Sequence, residues 1–146
     1  MSKAILCAVD LGHPEISQAV LIRAQALAAL DASTLNVITV VPDYGMSIVG
    51  SFFEEGTLKK AVKATTEQLH AFVSENVTAG TKVRHIVSVG SIYEEVLDAI
   101  GKTKADLVIM GAGKPGLKEY LLGPNASRIA RHSNVSVYIV RDEAVG

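Results

Sequence analysis

Apolar residues follow two rhythms along this chain. Ala4-Ile5-Leu6-Cys7-Ala8-Val9, Thr34 to Val41 (TLNVITVV) and Leu107-Val108-Ile109-Met110 are short apolar runs. Such runs suit strands covered on both faces, as in a parallel sheet. Between them apolar positions recur every three or four residues, the spacing of a helix with one face on a core. From about Glu15 to Ala32 the stripe is Ile16, Ala19, Val20, Ala24, Leu27 and Leu30. From Thr57 to about Asn76 it is Leu58, Val62, Thr65, Leu69, Phe72 and Val73, with Lys59, Lys60, Lys63 and Glu67 on the wet side. Thr81 to Val89 (TKVRHIVSV) alternates more than the other strands, which suits an edge. Ser91 with Glu94 three residues on is a capping box that opens a third helix. Val96, Leu97 and Ile100 line its inner face, and Gly101 marks its expected end. Pro124 opens a fourth helix to about His132, at the position where a missing N–H costs least. Val135 to Val140 (VSVYIV) is the last strand.

Five strands alternating with four helices predict an α/β fold, a doubly wound five-stranded parallel sheet with helices on both faces. Right-handed crossovers favour the order 3-2-1-4-5. The 146 residues form one domain, 1–146. Strand order reverses between strands 1 and 4, so a ligand belongs beyond their carboxyl ends, at Asp10 and Met110-Gly111. A second line of argument reaches the same place. Strand 4 breaks at Gly111-Ala112-Gly113, crosses a loop carrying Lys114, and enters a helix at Gly123-Pro124-Asn125. Free N–H groups at a helix start and its dipole favour an anion, and glycines let a bulky oxyanion approach the main chain.

Composition narrows the function. An apolar fraction of 49% with 20% charged residues indicates a folded chain. A net charge of −1 with no tryptophan argues against a nucleic-acid binder. No run is long enough to span a bilayer, and the start of the chain has no secretory pattern, so the expected location is cytoplasmic. Cys7 is the only cysteine, which rules out an internal disulfide and a multi-cysteine zinc site. His13, His70, His85 and His132 lack metal-ligand spacing. There is no GxSxG elbow and no GxxxxGK[ST] loop, and no nucleophile–base pair can be assembled. Residues 42–55, with Gly45, Met46, Gly50, Phe52 and Phe53, form a long irregular segment. They are expected either to anchor to the core or to act as a lid or subunit contact.

These residues resemble a known family over essentially the whole chain. Ile5-Leu6-Cys7-Ala8-Val9-Asp10, Ala105 to Gly111, Tyr120-Leu121-Leu122-Gly123, and Arg131-His132 through Val140-Arg141 are similar to the corresponding segments of universal stress proteins. Nucleotide-binding members of that family carry a glycine, two residues, a glycine, nine residues, then a glycine and Ser or Thr. Here nine residues separate Gly113 from Gly123, but only one separates Gly111 from Gly113, and Pro124 stands where Ser or Thr is usual. The short form resembles a bacterial branch that binds ATP.

The resemblance implies an adenine nucleotide alpha hydrolase-like fold with ATP, alone or with Mg²⁺, at the switch point. Asp10 would meet the ribose hydroxyls or a phosphate-bound metal; the alternative is an entry cap for the first helix. Val40 or Val41 would offer backbone groups to adenine. Met110, Gly111 and Gly113 would line the ribose and phosphate path, and Lys114 would neutralise phosphate charge. Gly123, Asn125, Ala126 and Ser127 would hold the outer phosphates, while Pro124 supplies neither N–H nor hydroxyl. Function would be regulatory, with at most slow ATP hydrolysis or autophosphorylation. The last strand, 135–140, is an open edge that suits a homodimer, as the family forms, and 42–55 offers a second contact and a tetramer. The rival expectation is a nucleotide-free homodimeric interaction module.

Overall fold

The computed structural model describes residues 3–42, 55–113 and 122–141. The elements are β1 (Ala4–Ala8), α1 (Pro14–Asp31), β2 (Thr34–Pro42), α2 (Glu55–Asn76), β3 (Val83–Gly90), α3 (Ile92–Thr103), β4 (Leu107–Gly111), α4 (Pro124–His132) and β5 (Ser136–Val140). The strands make one sheet in the order β3-β2-β1-β4-β5, the predicted order. Every neighbouring pair is parallel. β1 lies at the centre, with Ile5 level with Leu35 on one side and Leu107 on the other.

Alternation along β1 explains its uninterrupted apolar run. Ile5 and Cys7 join a cluster with Val20, Leu21 and Ala24 of α1 and Leu69 and Val73 of α2. Leu6 points the other way, into a cluster with Val96 and Ala99 of α3 and Ala126 and Ile129 of α4. With both faces covered, no position in the strand is left for a solvated side chain. The one strong polar residue deep in β2, Asn36, is held by its amide, which donates to the Ile5 carbonyl at 3.2 Å.

Two local expectations need correction. Leu30 was expected inside α1 and is 78% exposed; the helix instead buries Ser17, Val20, Leu21, Ala24 and Ala28. α1 carries apolar residues on nearly every side, so spacing alone does not fix which side meets the sheet. Gly101 does not end α3, which continues to Thr103. The actual stop is Lys104, in a left-handed conformation at φ 57°, whose N–H returns to the Ile100 carbonyl. At the other end of α3, the Ser91 hydroxyl accepts the Glu94 N–H at 3.3 Å, the expected cap. α4 begins at Pro124, as expected.

β3 and β5 form the two edges of the sheet. On β5, Tyr138 and Ser136 are exposed. Near β3, the rings of His70 and His85 stack, a contact between α2 and the strand that sequence spacing does not reveal. Among the described residues, no helix is long and apolar enough to cross a membrane.

Candidate functional site

The carboxyl ends of β1, β2 and β4 meet where the strand order reverses. β2 runs further than β1. The Val9 N–H donates to the Ile38 carbonyl at 2.9 Å, so Ile38 turns its backbone polar groups toward β1. Backbone groups of a parallel strand face alternate sides, so Val40 turns the same way two residues on. By then β1 has ended at Ala8. Val41 faces the other way, where β2 pairs with β3 and Val41 lies level with Val89. Of the two, Val40 therefore offers its main chain to the cleft.

Asp10 follows β1 and is held by contacts within the protein. Its main-chain N–H donates to Ser17 Oγ at 2.8 Å, and the Ser17 hydroxyl donates to the Asp10 carbonyl at 2.8 Å. One carboxylate oxygen accepts the Gly12 N–H at 2.9 Å; the other lies 3.1 Å from His13 Nδ1. His13 itself occupies the N-cap of α1 and makes no side-chain cap bond. Asp10 thus closes the turn before the helix and does not cap it directly. The carboxylate is more than half exposed, and its further lone pairs stay open to a ligand.

A hollow of about 170 Å³ opens beside Asp10. Asp10 to Gly12 form one wall and Thr39 to Pro42 a second, while Thr65 and Gln68 reach in from α2. Thr39 and Gln68 escaped the sequence reading, and Thr65 was placed only in a helix stripe. The one available signal was a hydroxyl inside the apolar run of β2. Ser17 also escaped it, because its partner lies seven residues back. A larger hollow, about 450 Å³, lies at the start of β3 beside His70 and His85. It is far from the strand ends where this sheet type takes ligands.

On the β4 side the expected residues divide by role. Met110 is buried and packs in the core with Leu6, Ile38 and Val96. A Cβ on Gly111 would stand 3.0 Å from Ile16 Cγ1, so this glycine lets α1 approach the sheet. Gly113 has a φ of 137°, which side chains rarely tolerate. The Ala112 N–H donates to the Val140 carbonyl at 3.0 Å, and the Ala112 carbonyl accepts the Gly123 N–H at 2.7 Å. Gly123, expected to bind phosphate, therefore has its N–H committed within the protein. Pro124 has none. The helix start leaves the Asn125 and Ala126 N–H groups without intrahelical partners. Asn125 and Ser127 are partly buried and Ala126 is buried. Lys114 and most of the 42–55 segment lie outside the described residues.

Burial pushes the Cys7 thiol far above its ordinary range, so it is no nucleophile. His132 meets Tyr93 edge-on at 6.0 Å, and Arg128 lies over the same ring at 3.8 Å. Among the described residues no three His, Cys, Asp or Glu side chains cluster as metal ligands.

Residues 1–141 match the Universal stress protein family. The chain belongs to the universal stress protein family. It is 31% identical to universal stress protein G of Shigella flexneri, across 97% of this chain and 100% of that one. Its fold is similar to the solved structure of MJ0577, a universal stress protein of Methanocaldococcus jannaschii, with a TM-score of 0.77. That similarity covers 98% of both chains at 28% identity. The universal stress protein of Archaeoglobus fulgidus, solved in complex with dAMP, superposes with a TM-score of 0.65 at 19% identity. The match covers 94% of this chain and 96% of that one.

Proposed function

We propose that this universal stress protein binds ATP at the carboxyl ends of β1, β2 and β4 and uses the bound nucleotide as a regulatory signal. The observation that carries the reading is the hollow between Asp10–Gly12, the end of β2, and α2, beside the carboxyl end of β1, one of the two strands between which the order reverses. In this reading adenine sits against the main chain of Val40, and Asp10 accepts the ribose hydroxyls. The triphosphate runs past Gly113 toward the Asn125 and Ala126 N–H groups. The complex of a structural neighbour with dAMP supports an adenine nucleotide as the ligand class.

Among the described residues Asp10 is the one carboxylate lining the hollow, and Gly12 and His13 already engage it. A Mg²⁺ ion would accompany the phosphates, with Asp10 the one protein ligand that the described residues offer it. Its chemistry there is neutralisation of phosphate charge. In this reading the role is binding ahead of turnover. The exposed β5 edge suits antiparallel pairing of two copies into a homodimer in the cytoplasm.

A second reading has a specific observation in its favour. The Gly123 N–H is taken by Ala112 and Pro124 has no N–H, so the phosphate end is poorer in donors than the family pattern expects. That reading makes the chain a nucleotide-free interaction module. Calorimetric titration with ATP, ADP and AMP, each with and without Mg²⁺, separates the two. Saturable binding that Asp10→Ala weakens supports the nucleotide reading. Heats no larger than dilution with all three nucleotides at millimolar concentration reject it.

A further inference from the structure

Among the described residues three polar side chains are buried: Ser17, Asn36 and Thr39. Two have evident structural roles. Ser17 holds the main chain of Asp10, and Asn36 holds the Ile5 carbonyl. Thr39 is 5% exposed, and its hydroxyl has no hydrogen-bond partner among the described residues. No fully enclosed side-chain nitrogen or oxygen among those residues lacks a partner. The small exposed part of Thr39 must therefore include its hydroxyl, and the space it borders is the 170 Å³ hollow.

Packing does not call for a threonine here. Val37, Ile38, Val40 and Val41 surround it in sequence, and valine would fill the same volume, so the hydroxyl facing the hollow is not a demand of the core. α2 brings Thr65 and Gln68 to the same hollow, three residues apart and hence on one side of the helix. The Gln68 carboxamide presents a donor and an acceptor and has no partner among the described residues. A hydroxyl that the fold does not use and a free carboxamide thus line one small hollow from two elements. Together they suit the edge of a flat heterocycle with an amino group beside a ring nitrogen, the pattern a carboxamide recognises on adenine.

We infer that Thr39 and Gln68 are side-chain readers of the base and together hold the exocyclic amino group of adenine. This rests on the nucleotide reading above and adds to it the residues that recognise the base. The Thr39 hydroxyl oxygen accepts one amino hydrogen. The Gln68 carboxamide oxygen accepts the other, and its NH₂ donates to the neighbouring ring nitrogen. Val40 contributes its main chain as already described.

The test pairs two ligands with two variants. The ligands are ATP and purine riboside 5′-triphosphate, which carries hydrogen in place of the amino group. Wild type should prefer ATP by roughly tenfold or more, since a site built around a donor rejects the analogue lacking it. Thr39→Val should weaken ATP binding roughly fivefold to tenfold, the loss expected for one neutral hydrogen bond, and Gln68→Ala should weaken it more, since two such bonds go. Thr39→Val should leave the analogue within about twofold, while Gln68→Ala should weaken the analogue less than ATP, by the one bond to the ring nitrogen that both ligands make. Thr39→Val should also unfold at no lower urea concentration than wild type, because it removes a hydroxyl the fold leaves unpaired.

Variants that leave ATP affinity unchanged, or that weaken both ligands equally, overturn the inference. So does a clear loss of stability in Thr39→Val, which would reveal a structural partner. If wild type binds ATP and the analogue alike, the base-reading inference fails while the nucleotide reading stands. If wild type binds neither, both fail.

Discussion

The rings of His70 and His85 lie face to face, with centroids 3.8 Å apart and planes 19° from parallel. One belongs to α2 and the other to the edge strand β3. Burial first, and the neighbouring His70 second, lower the His85 pKa below the ordinary 6.5. Its register partner on β2 is Val37, which carries no charge, and no other group among the described residues contributes to the shift.

The sign of the resulting pH dependence follows. The unfolded chain takes up this proton near the ordinary value, and the folded chain only at lower pH. Between those two values the unfolded state binds more protons, so stability rises with pH. The contribution is fully present above pH 6.5, is lost as pH falls below it, and levels off once folded His85 is protonated. The wild-type urea midpoint should therefore drop between pH 7.5 and pH 5.5. His85→Phe, which keeps an aromatic ring without a titrating nitrogen, should flatten that drop. An identical drop in the variant would assign the pH dependence elsewhere.

Ser17 anchors the turn that presents Asp10. Ser17→Ala removes both of its bonds to the Asp10 main chain and leaves a part-buried N–H unpaired. The expected cost is about 1–3 kcal/mol. Urea unfolding measures it directly. Since Asp10 would then be held less firmly, any ATP affinity measured on the same sample should fall with it.

Gly111 is predicted to be a packing requirement of α1. Gly111→Ala puts a methyl 3.0 Å from Ile16 Cγ1, on a side chain whose β-branch restricts its retreat. Overpacking of this kind costs about 1–3 kcal/mol. The same change in an Ile16→Ala background should cost clearly less, because the clashing atoms are gone. Equal costs in the two backgrounds would show that Gly111 serves something other than helix contact.

α1 offers a contrast between two leucines. Leu21 is fully buried and Leu30 is 78% exposed. Leu21→Ala should cost about 2–5 kcal/mol. Leu30→Lys should stay within about 0.5 kcal/mol of wild type. Chemical denaturation of the two variants checks both values.

The same helix shows what the sequence could and could not convey. β1 and β4 were legible because a strand covered on both faces has no polar positions, and that signature is local. The sheet order followed from the alternation of strand and helix together with the handedness of crossovers. α1 was legible as a helix but not in its orientation, since apolar residues occur around most of its circumference. Gly101 looked like a terminator, yet the helix stops at Lys104, a residue type with no special preference for the left-handed turn. At the site, Asp10 and the glycines stood out because strand ends and glycine spacing are linear features. Thr39 and Gln68 did not, since they are 29 residues apart in the chain and become neighbours only when α2 folds onto the end of β2. Gly111 had a persuasive phosphate rationale, but its contact with Ile16 exists only in three dimensions.

Ala112 ties the end of β5 to the start of α4. Through its N–H it grips the terminus of the outermost strand, and through its carbonyl it grips the residue from which α4 springs. One residue of main chain thus fixes the outer rim of the sheet and the root of the last helix relative to each other.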